Sequence, residues 1–172
     1  RFSPHEPMYF LFGIDPTDSK FQISFKFRLF DFPERTDRYW HLLNGLNIAY
    51  TQTSFWDLQS ESKPFLDSSY KPEVLYDLGD IEKMPLPGVS RWGLSAGLQH
   101  ESNGKSGADS RSLNIAYVKP RLLFEFPKDY YLEIAPKAWT YVGDLSENPG
   151  IQRYRGYFQL LAAVGHRDGL RI

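Results

Sequence analysis

The chain has 172 residues, a length that suits one domain, and 20 basic against 21 acidic residues leave a net charge of −1. That balance excludes a strongly basic surface as a basis for nucleic-acid binding. No cysteine is present, so disulfides and thiolate metal sites are excluded within these residues.

Aromatic residues make up 16% of the chain, with 13 Phe, 11 Tyr and 4 Trp, and such enrichment favours strands. No run approaches the ~18 apolar residues of a membrane helix. A closed β-barrel is therefore the one structure in which this composition could span a bilayer.

The predicted elements are strands. Met8 to Phe12 is short and aromatic. In Phe21-Gln22-Ile23-Ser24-Phe25-Lys26-Phe27-Arg28-Leu29 apolar and polar residues alternate without a break, which is the period of a strand with one apolar face. Leu43 to Trp56 sets Leu46, Ile48 and Tyr50 against Asn47, Ala49 and Thr51. Val74, Tyr76 and Leu78 share a face of the next strand. Ser90 to Glu101, Ser112 to Phe126 (interrupted by Pro120), Tyr130 to Val142 and Tyr154 to Val164 complete a set of about eight. Pro120 removes a ladder donor, so a bulge is expected there. Turn-rich segments separate them at Lys63-Pro64, Met84 to Gly88, Ser102 to Arg111 and Asn148-Pro149-Gly150. No helix with caps and period is expected.

Two architectures fit: a soluble sandwich or barrel, and a membrane barrel. Several strands reach the ~9–11 residues of membrane strands. Tyr39-Trp40, Phe55-Trp56 and Tyr130-Tyr131 crowd strand ends as interfacial girdles do.

Three patterns carry little. Gly93-Leu94-Ser95-Ala96-Gly97 matches a nucleophile elbow, but it lies inside an alternating strand with no helix after it. Gly104-Lys105-Ser106 resembles the end of a phosphate loop that lacks its first glycine. His5, His41 and His166 are isolated and are expected at the surface.

Gln99-His100-Glu101-Ser102-Asn103-Gly104-Lys105-Ser106 is different. Positions i and i+2 of a strand share a face about 6.6 Å apart, so a base at His100 and a hydroxyl at Ser102 could meet. Leu94, Ala96 and Leu98 continue that face and are apolar. A hairpin would bring Asn114 beside His100, where an amide could fix the imidazole tautomer. Gly104 could offer a backbone N–H to an oxyanion.

The run His100 to Ser106, followed by Ser110-Arg111-Ser112-Leu113-Asn114, resembles the active-site segment of bacterial outer membrane phospholipase A. Lys20 to Ser24, Tyr50-Thr51-Gln52, Trp56, Pro64-Phe65, Tyr70 to Glu73, Val142-Gly143-Asp144 and Tyr154 to Tyr157 extend the likeness in order. It implies an all-β, twelve-stranded antiparallel transmembrane β-barrel in the outer membrane, active as a calcium-dependent homodimer. About eight strands are countable, so one barrel domain over residues 1–172 without its C-terminal strands is expected.

By the resemblance, Ser102 attacks a phospholipid acyl ester, His100 takes its proton and Asn114 orients His100. The Gly104 amide and a calcium-bound water form the oxyanion hole. Ca2+ is held by the Ser110 hydroxyl and the Lys105 carbonyl, with the Ser62 carbonyl coming from a partner subunit. Gln52 lies on the lipid-facing dimer surface. The family commonly has Asp and Arg where this chain has Glu101 and Lys105. Glu101 is expected to point away from the site, and Lys105 to act through its backbone. A non-catalytic outer-membrane barrel and a soluble lipid-binding β-barrel are the rival readings.

Overall fold

A computed structural model describes residues 1–14, 18–33, 39–62, 64–82 and 86–168. Lys63, Met84 and Pro85 of the predicted turns lie outside these residues, as do residues 169–172 of the tail expected after the last strand. The strands are β1 (Phe2–Pro4), β2 (Tyr9–Phe12), β3 (Asp18–Arg28), β4 (Leu46–Asp57), β5 (Phe65–Asp77), β6 (Arg91–Ser102), β7 (Ser112–Glu125), β8 (Tyr130–Val142) and β9 (Phe158–His166). From β3 onward each is antiparallel to its sequence neighbours. β1 and β2 share the free edge of β3, so the sheet is eight strands wide, as expected.

The sheet curls into a half-barrel. In a flat sheet β3 and β7 would lie about 19 Å apart, four spacings of ~4.8 Å. Yet Glu6, between β1 and β2, reaches Lys119 of β7 at 2.9 Å, and His5 beside it meets Glu73 of β5. Four residues (5–8) stand opposite two of β3 here, because Pro4 pairs with Phe25 and Tyr9 with Gln22. The surplus dips into the concave face.

The two faces are inverted relative to a water-soluble fold. Facing outward, Leu98 is 63% exposed, Val74 54% and Val164 56%, while inward-facing Glu73 and Gln99 are each 4% exposed. Polar side chains inside satisfy one another: the Ser24 and Thr51 hydroxyls are 2.6 Å apart, and Lys137 Nζ lies 4.0 Å from the centre of the Tyr117 ring. An apolar outer band over a polar interior is what a transmembrane barrel needs. A soluble lipid-binding barrel would require the reverse. Ala96 and Leu98 face outward, and Leu94 on the same face is half-buried.

Several expectations need correction. The chain enters β4 through a 3₁₀ turn, Trp40–Gly45, not as strand from Leu43. The Asn44 amide bonds both the N–H (2.7 Å) and the carbonyl (2.8 Å) of Phe32, which ties this stretch back on itself. β5 begins at Phe65, before its alternation is visible. Pro120 produces no bulge: Val118 pairs with Ala138 and Leu122 with Ile134 in one unbroken register. That register sets Pro120 opposite Pro136, and two residues without N–H groups simply open the ladder. The last strand starts at Phe158, not Tyr154. Residues Ile151–Arg155 form a short helix, α1, ended by Gly156 at φ +65°. His5, expected at the surface, is buried against Glu73.

Candidate active site

Strand β6 ends at Ser102 and β7 begins at Ser112, so loop 103–111 sits at the same end of the sheet as turn 58–64 and loop 143–157. The antiparallel register pairs His100 with Asn114 and Ser102 with Ser112. His100 Nδ1 and Asn114 Oδ1 are 2.9 Å apart. An amide oxygen only accepts, so Nδ1 is the donor, and in the neutral ring the lone pair lies on Nε2. Ser102 shares the outward face with His100, and its hydroxyl has no hydrogen bond among the described residues.

Below His100 and Asn114, on the outer surface, runs an apolar groove of about 900 Å³. His100 and Asn114 stand at its head, and Phe25, Ile48, Val74 and Leu98 line it. A base opening directly onto an apolar, outward-facing groove suits a substrate that arrives from a lipid layer.

Asn103 organises the loop that follows. Its Oδ1 accepts the N–H of Arg111 (3.0 Å) and of Lys105 (3.3 Å), its Nδ2 donates to the Asp109 carbonyl (2.8 Å), and its own N–H donates to the Arg111 carbonyl (3.1 Å). One buried side chain thus sets the backbone of Gly104, Lys105 and Ser110. Gly104 has φ +68°, the left-handed region that glycine enters freely, and a Cβ there would lie 3.0 Å from the Tyr70 ring.

The Ser110 hydroxyl donates to Glu147 Oε2 at 3.0 Å. Glu147 is delivered by loop 143–157, whose first turn is fixed by Asp144 accepting the Ser146 hydroxyl (2.5 Å) and N–H (2.9 Å). Those two donors hold the Asp144 carboxyl below its usual range. Sequence reasoning missed Asn103 as an organiser and Glu147 as a neighbour of Ser110. The position of Asn103 inside the motif was a signal; Glu147, 37 residues downstream, had none.

Ser62 is exposed in the β4–β5 turn and makes no hydrogen bond to loop 103–111 among the described residues. Gln52 sits on the outer face, accepting from the Tyr50 hydroxyl (2.9 Å) and donating to Ser54 (3.1 Å), in a polar row that ends at Ser68. Glu101 points to the concave side, away from His100, as expected.

A sequence model of the family described as phospholipase A1 matches residues 2–170. The chain belongs to the phospholipase A1 family. It is 35% identical over 156 residues to phospholipase A1 of Escherichia coli K12, covering 87% of this chain and 47% of that protein. To the putative phospholipase A1 of Neisseria meningitidis serogroup B it is 34% identical over 149 residues, covering 81% and 35%. This family member therefore spans about half the length of the curated relatives it matches. Among solved structures, outer membrane phospholipase A from Escherichia coli superposes with a TM-score of 0.66 at 31% identity, over 90% of this chain and 60% of that one. The Salmonella typhi outer membrane phospholipase dimer with bound calcium gives a TM-score of 0.62 at 30% identity, over 87% and 58%. Like these barrels, the chain is an outer-membrane protein that crosses by strands. Among its described residues no helix is long and apolar enough to cross a membrane.

Proposed function

We propose that this chain carries the catalytic segment of a calcium-dependent phospholipase A in the bacterial outer membrane. The observation that carries the reading is the 2.9 Å contact of His100 with Asn114 at the head of an outward-facing apolar groove. Acyl chains lie in the groove with the ester beside Ser102. Ser102 Oγ attacks the acyl carbonyl and its proton passes to His100 Nε2. The imidazolium, oriented by Asn114, gives that proton to the departing glycerol oxygen. A water deprotonated by the same nitrogen then releases the fatty acid from Ser102. The Gly104 N–H is the backbone donor for the oxyanion. Esters at both glycerol positions and lysophospholipids are substrates.

The donors around Ser110 fit a calcium ion, because the Ser110 hydroxyl and the Glu147 carboxylate are hard oxygen ligands. The Lys105 carbonyl and Ser110 hydroxyl would hold it, joined by the Ser62 carbonyl of a partner subunit. When bound, the ion supplies positive charge next to the oxyanion. Gln52 lies in the homodimer interface, where a second copy would cover an amide that lipid cannot satisfy.

The test compares phospholipid hydrolysis by detergent-solubilised protein with that of Ser102→Ala, each with calcium and with chelator. Calcium-dependent hydrolysis lost in Ser102→Ala is the expected result. Equal rates in all four samples would leave a non-catalytic barrel.

A further inference from the structure

Strand β6 carries His100 and Ser102 on a stretch that one neighbour fails to hold. Between β5 and β6 the ladder pairs Tyr70 with Ser102 and Glu73 with Gln99, and nothing between them. The register of those pairs sets Pro72 opposite His100 and Lys71 opposite Glu101. Proline has no N–H to give, so the backbone bonds stop beside the base.

The side chain between base and nucleophile spans this gap from the other face. Glu101 Oε1 accepts the Ser69 hydroxyl at 2.5 Å and lies 3.8 Å from Lys71 Nζ, both on β5. Its Oε2 accepts Arg155 Nη1 at 2.5 Å. Arg155 ends α1, in the loop that also delivers Glu147. A single carboxylate thus joins β5, β6 and loop 143–157 directly behind the site. Charge-assisted bonds of this kind are among the stronger ones, and this carboxylate is largely withdrawn from solvent on the concave side.

We propose that Glu101 is a positioning residue: its bonds to Ser69, Lys71 and Arg155 replace the backbone ladder that Pro72 interrupts, and so fix the spacing of His100 and Ser102. This rests on the hydrolytic reading for its effect on rate, but not for its effect on the strand. Glu101 touches no substrate. It acts through the backbone on either side.

Two measurements test it on Glu101→Ala, Glu101→Gln, Arg155→Met and Arg155→Lys in detergent with calcium. The first is kcat per active site, counted by stoichiometric labelling of Ser102 with a serine-directed sulfonyl fluoride. Glu101→Ala is expected to lower kcat about ten- to a hundredfold, the effect of a displacement near 1 Å, with KM little changed. Arg155→Met should fall part of the way, and Arg155→Lys should restore most of the rate. A purely structural role would reduce the number of labelled sites and leave kcat per site at the wild-type value, and that result would overturn the proposal. The second is amide hydrogen exchange over residues 99–103 in a Ser102→Ala background, which needs no turnover. Faster exchange in Glu101→Ala, confined to this stretch, is expected; unchanged exchange rejects the proposal. If wild type and Ser102→Ala hydrolyse lipid equally, the hydrolytic reading fails, and exchange alone still decides what Glu101 holds.

Discussion

His100 and Asn114 face each other across β6 and β7 as a cross-strand pair, joined Nδ1 to Oδ1 at 2.9 Å. The imidazole is oriented by a residue that the sheet register itself delivers, so its tautomer follows from the hairpin. Replacing Asn114 with Ala removes the acceptor and leaves the pairing intact. Losing one such bond, about 1.5 kcal/mol, predicts a fall in kcat of roughly tenfold with thermal stability nearly unchanged. Steady-state hydrolysis beside a melting curve checks both halves.

Asn103 predicts a different signature. Its side chain makes three hydrogen bonds within loop 103–111 and is buried. Asn103→Ala strands two backbone donors and one acceptor, which costs about 1–3 kcal/mol for each group that water cannot reach. Calcium affinity, read by calorimetric titration, is expected to fall together with activity. An Asn103→Ala protein with wild-type calcium binding would contradict this.

Gly104→Ala carries two separable penalties. The left-handed backbone costs about 1–2 kcal/mol for any L side chain, and the new Cβ meets the Tyr70 ring. Adding Tyr70→Ala is expected to restore only the steric part. Refolding titrations of the single and double variants in lipid vesicles separate the two.

Glu147 lies within hydrogen-bond reach of the Ser110 hydroxyl. Glu147→Gln keeps the shape and removes the charge. Calcium should then bind more weakly, with protein stability in chelator the same as wild type. Comparing melting temperatures with and without calcium gives the answer directly.

The inverted faces make a contrast between neighbours. Leu98→Arg puts a charge on the lipid side and is expected to cost up to ~2–4 kcal/mol, depending on its depth. The apolar change Gln99→Leu, one residue on, faces the polar interior and removes a donor to Glu73. It should leave membrane insertion unaffected. Insertion yields in vesicles distinguish the two.

The strand set and the outward Leu98 face were legible because alternation is local. Phe21 to Leu29 declares its period in nine residues. The start of β5 was not, since Ser68 bonds Ser54 on the outer face and Ser69 bonds Glu101 on the inner one. Both faces are polar there, and no alternation remains to read. The burial of His5 and the approach of Glu147 to Ser110 depend on partners 68 and 37 residues away. His100, Ser102 and Asn114 could be found because a hairpin keeps them within fifteen positions. Pro120 misled because proline suggests a bulge, while the proline opposite it, Pro136, makes a simple gap sufficient.

Glu6 and Lys119 are separated by 113 residues of sequence. Closing so long a loop is entropically costly and slow. Residues 5–8, between β1 and β2, cannot anchor across the concave face until β7 has been laid down. This inward dip is therefore among the last parts of the chain to lock. Cutting the link with Lys119→Met should leave the hairpins from β2 to β9 forming at their usual rate and delay only the protection of residues 5–8 from protease.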